Sequence, residues 1–182
     1  MDEKALSAQL SRLPLVCAEF FDTVELEFSP RIRQVCRQEC PMYGTSWACP
    51  PAVGSVEDCE ARCRSYPRGL MIASIQEADI TDMAAALATR APHEELTRQV
   101  RDMIAAQGQQ TLTLSTESCA RCAHCTYPNA PCRHPGQMFP CVESHGIVVT
   151  ALAERHGIDF YAGPDLVTWF SLILFRPDDS RI

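Results

Sequence analysis

The chain has 182 residues, 46% of them hydrophobic and 21% charged, with a formal net charge of −7. That balance belongs to a folded domain with a sizeable core of its own, so metal is not needed to replace a missing core as in a zinc finger. The acidic charge argues against nucleic acid as the main partner, because phosphate binding needs a basic face.

The length fits a single domain over residues 1–182. The first dozen residues predict a helix, with Leu6, Leu10 and Leu13 at helical spacing and Pro14 ending it. The sequence from Thr23 to Phe28 sets Val24, Leu26 and Phe28 against Glu25 and Glu27, the alternation of a half-buried strand. Residues 36–54 read as a Pro- and Gly-rich loop. Ser55, followed by Glu57 and Asp58, starts a helix that runs to about Tyr66. The apolar run from Gly69 to Ile75 reads as a buried strand. Two helices follow, one over about 80–89 and one from Pro92 with Gly108 as its stop. Leu96, Val100, Met103 and Ile104 give the second of these an apolar face. The strand predicted over Thr111 to Ser115 leads into a loop at 117–139. A helix is expected from about Pro140 to His156, although Gly146 inside it costs on the order of 1 kcal/mol relative to Ala. Strands at Ile158 to Tyr161 and Val167 to Phe175 complete an α+β domain: a mixed sheet flanked by helices, with two Cys-rich loops (about 36–63 and 117–141) holding metal clusters.

The N-terminus opens with acidic residues and carries no long apolar run, so it does not read as a secretory signal. The run from Leu166 to Phe175 falls short of the roughly 20 residues that span a bilayer. A cytoplasmic protein with no membrane span is expected. In that reducing compartment the eleven cysteines favour metal or redox chemistry over structural disulfides.

Cys119, Cys122, Cys125 and Cys132 form a C-x2-C-x2-C-x6-C run. The triplet puts three sulfurs on one tight loop, as in bacterial ferredoxins, where backbone amides hydrogen-bond the cluster sulfides. Arg121, His124, Arg133 and His134 lie in this loop and no acidic residue does, a balance that suits an anionic [4Fe-4S] cluster. The competing reading is structural zinc. Such closely spaced sulfurs would crowd one tetrahedral ion.

Cys36, Cys40 and Cys49 form the other island, with prolines after Cys40 and Cys49 and with Tyr43 and Trp47 between them. Three thiolates here point to a second metal site whose fourth ligand is open. Cys59 and Cys63, four apart on a predicted helix, share one side. Either could close the site, and so could Cys141 or Cys17. If nothing closes it, one iron keeps an open position for chemistry. Glu143 and His145 read as a solvated helix face that could supply acid–base groups.

The segments C-x3-C-P-M-Y-G-T-S-W-A-C-P-P (36–51), C-A-R-C-A-H-C-T-Y-P-N-A-P-C-R-H-P (119–135), E-S-H-G-I-V-V (143–149) and V-T-W-F-S-L-I-L-F (167–175) together resemble a family of predicted metal-binding proteins, the domain of unknown function 2284. The resemblance implies metal binding of the iron–sulfur kind. Cys36, Cys40, Cys49, Cys119, Cys122, Cys125 and Cys132 sit on its motif positions.

No nucleotide-binding glycine motif, zinc-protease helix or serine elbow occurs. Three functions fit what remains. The first is electron transfer by one or two [4Fe-4S] clusters with a redox partner protein. The second is a cluster-dependent enzyme with an open iron acting on a small, possibly sulfur-containing, substrate. The third is a structural or sensing zinc module.

Overall fold

The computed structural model describes residues 1–178. In chain order the elements are α1 (Glu3–Leu10), β1 (Cys17–Asp22), α2 (Pro30–Glu39), α3 (Val56–Arg64), β2 (Arg68–Glu77), α4 (Met83–Ala88), α5 (Arg90–Ala106), β3 (Gln109–Leu114), α6 (Val149–Arg155) and β4 (Leu166–Pro177). The strands form a sheet in the order β1-β2-β4-β3. The fold is α+β as expected, and the sheet is antiparallel at every strand pairing rather than mixed. Parallel pairing is seen at an isolated bridge between Ser115 and Cys141.

Strands β2 and β4 are central and buried on both faces, so both read as nearly continuous apolar runs. Leu70, Ile72, Ile173 and Phe175 pack against α1 and α5 through Leu6, Leu10, Val100 and Ile104. Met71, Ala73, Leu172 and Leu174 point the other way, toward Phe21, Cys63, Ile147 and Leu152. No helix among the described residues is long and apolar enough to cross a membrane.

Start signals were read well at α3. Ser55 accepts from the Asp58 amide at 3.0 Å while the Asp58 carboxylate accepts from the Ser55 amide at 3.1 Å, a reciprocal cap that satisfies two otherwise orphaned donors.

Four expectations need correction. The first edge strand is Cys17–Asp22, not residues 23–28. After it, Asp22 and Glu25 close a capping box on a 3-10 turn, Thr23–Glu25, which leaves Val24 78% exposed. Cys36 belongs to α2, not to a loop; Ser29 caps that helix and Pro30 starts it. The helix expected over 140–156 is broken into a 3-10 turn at Glu143–His145 and the short α6, because Gly146 takes φ +76° between them. Residues 158–161 form no strand.

A polar chain crosses the core between α5 and the sheet. Buried His93 bonds Ser74 Oγ through Nδ1 at 2.8 Å and Ser171 Oγ through Nε2 at 2.9 Å. Thr97 Oγ1 lies 2.8 Å from Ser171 Oγ, which donates to Ser115 Oγ at 3.1 Å. Burial pulls the His93 imidazole down to about 4. Above pH 6.5 His93 is neutral in both folded and unfolded chains. Below it the unfolded chain takes up a proton that the native state refuses, so stability falls with falling pH until about pH 4. Urea titrations of the wild type should therefore lose roughly 2–3 kcal/mol from His93 between pH 7 and pH 4.5. A His93→Gln variant should show a shallower pH dependence over that window, and an identical slope would refute the assignment.

Candidate metal centres

The cysteine segments meet at one end of the sheet. Helix α2 places Ile32, Val35 and Cys36 at i, i+3 and i+4, hence on one face, and Cys40 follows one turn later at its C-cap. These residues line a cavity of about 250 Å³ together with Met42, Tyr43, Cys49, Glu117, Ser118, Cys141 and Glu143. The three cysteines of the first island thus share one hollow with a fourth, Cys141. That fourth thiol is brought in by backbone. The Ser115 amide donates to the Pro140 carbonyl and the Val142 amide to the Ser115 carbonyl, both at 2.9 Å, which tethers the 140–142 segment to the end of β3.

The thiols in this cavity are not equivalent. Interaction between Cys141 and Cys49 across the cavity holds Cys49 below and pushes Cys141 well above the ordinary thiol range. Hydroxyls of Ser118 and Ser46 also favour the Cys49 thiolate; these two, one from each cysteine loop, lie 2.8 Å apart. Burial pushes Cys36 up to about 11, with Cys40 as the next cause. Glu143, expected on a solvated helix face, is half-buried on the cavity wall. Burial, helped by the charge of Glu117, pushes its carboxyl up to about 7. His145, also expected to be solvated, is fully buried and bonds Arg62 and Ser144.

Cys119, Cys122, Cys125 and Cys132 ring a smaller hollow of about 20 Å³ with Trp47, Arg121, Arg133, His134 and Met138. Cys125 is exposed and the other three half-buried. Backbone amides of Arg121 and His134 donate to the sulfurs of Cys119 and Cys132, each at 3.4 Å. Such bonds favour thiolates and are typical of loops that wrap clusters. Three arginines of α5 hold the loop by its carbonyls: Arg90 to Ser118 at 2.7 Å, Arg98 to Gln137 at 3.0 Å and Arg101 to Gly136 at 3.4 Å. Trp47 of the first island donates to the Ala130 carbonyl at 3.1 Å and meets Tyr127 edge-on at 5.0 Å.

The two hollows adjoin. Glu117, with φ +49°, turns the chain just beyond β3. This left-handed conformation is uncommon for a residue with a side chain. Ser118 then faces the first cavity and Cys119 the second.

Cys17, Cys59 and Cys63 lie outside both hollows. Cys63 sits in the hydrophobic core and burial pushes it up to about 12, as it does Cys17. Cys59 is fully buried and donates to the Val53 carbonyl at 3.4 Å. None of the eleven cysteines is disulfide-bonded. Among the described residues no group of three or more His, Cys, Asp or Glu side chains is drawn together so as to hold a metal ion; the thiols ring hollows.

A family model described as predicted metal-binding protein (DUF2284) matches residues 19–175. The chain belongs to this family. No curated protein and no solved structure matches it. The donor chemistry agrees with a metal-binding family. Each hollow offers four thiols, the soft ligand set that selects zinc, copper(I) or iron–sulfur centres over hard cations.

Proposed function

We propose that this DUF2284 protein is an iron–sulfur protein that carries two [4Fe-4S] clusters and transfers electrons in the cytoplasm. Cys36, Cys40, Cys49 and Cys141 would hold one cluster; Cys119, Cys122, Cys125 and Cys132 would hold the other. The observation that carries this reading is the separation of eight thiols into two sets of four around adjoining hollows. Thiols arranged around a space suit a polynuclear centre better than one tetrahedral zinc, whose ligands meet about 2.3 Å from a single point. Bound there, a [4Fe-4S] cluster supplies one-electron transfer. The chain supplies the rest: amide donors to the sulfurs of Cys119 and Cys132, serine hydroxyls that favour the Cys49 thiolate, and a second site whose Cys125 reaches the surface.

One observation favours a second reading. The first cavity is much the larger, and Glu117 and Glu143 stand in its wall. Were Cys141 to stay protonated, the site would hold a cluster through three thiolates and a small substrate could reach the remaining iron.

Anaerobic purification with iron and acid-labile sulfide analysis tests the main reading. About eight irons and eight sulfides per chain are expected, from two four-iron clusters each held by four thiolates. Stoichiometric zinc without sulfide would overturn it in favour of the zinc module.

A further inference from the structure

The second cysteine loop is a basic surface on an acidic protein. None of the chain's 23 acidic residues falls between Cys119 and Pro140. Within that stretch Arg121, His124, Arg133 and His134 are exposed, around the exposed Cys125. Arg121 and Arg133 have no ion-pair partner among the described residues, whereas Arg98 and Arg101 of α5 are matched, to Glu94 and to Asp102, each at 2.7 Å. Unmatched positive charge thus stands where a thiol of the second site meets solvent. The chain as a whole carries a formal net charge of −7, so this acid-free stretch has the sign that favours the approach of an acidic partner.

We propose that this face docks an acidic electron-carrier protein, whose reduced iron–sulfur or flavin centre delivers one electron to the second site through the surface around Cys125. The proposal rests on the iron–sulfur reading of that loop. One electron leaves the carrier and one reduces the oxidised centre of this chain; no covalent bond is made or broken and no proton need move. Opposite charges on the two partners steer their encounter, and such steering weakens steeply as salt screens it. Arg121 and Arg133 act on the encounter and are not ligands.

The test is stopped-flow reduction of the iron-loaded protein by a reduced bacterial ferredoxin of net negative charge, across a range of salt concentrations. A small photoreduced flavin serves as the uncharged reference donor. The double variant Arg121→Glu/Arg133→Glu is compared with wild type at matched iron content, because both side chains stand in the wall of the second hollow. Its second-order rate with ferredoxin should fall about tenfold at low salt, and that gap should close near 0.5 M salt, where the Debye length is only several Å. Its rate with the flavin, which reports any effect of these two wall charges on the centre itself, should not depend on salt and serves as the divisor for the ferredoxin rate. Arg121→Gln alone, which leaves the Arg133 contact to the His124 carbonyl in place, should give a smaller loss of the same kind. Equal ferredoxin rates for wild type and variants, or a wild-type rate insensitive to salt, would overturn the docking face alone. Wild-type protein without iron, or with iron that the flavin cannot reduce, would overturn both this inference and the reading beneath it.

Discussion

Replacing Cys141 with alanine should remove about half of the iron from anaerobically prepared protein, roughly four of eight atoms per chain, and leave the second site's signal intact. Cys141 is the one thiol of the first cavity that comes from outside the 36–49 island, and it interacts with Cys49 across that cavity. Cys125→Ala should remove the complementary half, and the double variant should be iron-free. Cys17→Ala, Cys59→Ala and Cys63→Ala should retain all the iron, because those sulfurs lie outside both hollows. Iron and sulfide analysis with low-temperature electron paramagnetic resonance would read every case. Full iron retention by Cys141→Ala, with a spectrum that shifts when small thiols are added, would count against the electron carrier and for a cluster with an open iron.

Gly69→Ala should be the most destabilising conservative change in the sheet. Gly69 lies opposite Phe21 across β1 and β2. A methyl group there would stand 2.3 Å from the ring's Cζ and 2.7 Å from Cε1. Phe21 is itself 1% exposed in the core, so the ring has nowhere to move without opening the packing around Met71 and Leu152. Overpacking of this kind costs about 3 kcal/mol, at the upper end of the usual range. A urea midpoint within error of the wild type would show that the ring can swing away. Phe21→Leu combined with Gly69→Ala should recover part of the loss.

Legibility in the sequence followed the range of the interactions involved. The α3 cap was readable because Ser55 and Asp58 are three residues apart, and β2 and β4 because burial on both faces leaves an apolar run. Helix α2 overlaps a stretch that reads as loop although Ser29-Pro30 is a good start signal: none of its residues is fully buried, so its apolar face is short and weakly marked. The alternation at Val24, Leu26 and Phe28 was real in sequence, yet the local Asp22–Glu25 cap turned the chain and only Leu26 became fully buried. The four cysteines that ring the second hollow are contiguous in sequence, so their grouping was visible there. That Cys141 joins Cys36, Cys40 and Cys49 at the first cavity was not, because its position depends on the Ser115–Cys141 bridge, which no local pattern encodes.

That bridge also bears on the order of assembly. The second set of thiols spans fourteen positions, from Cys119 to Cys132, so its ends are already neighbours in an unfolded chain and closing the loop costs little entropy. The first set joins Cys36 to Cys141, more than a hundred positions apart, and comes together only when β3 has been laid down and Ser115 has captured the segment after Pro140. On the proposed two-cluster reading, a ribosome-bound chain would therefore load the later motif before the earlier one, and maturation would run against the direction of synthesis.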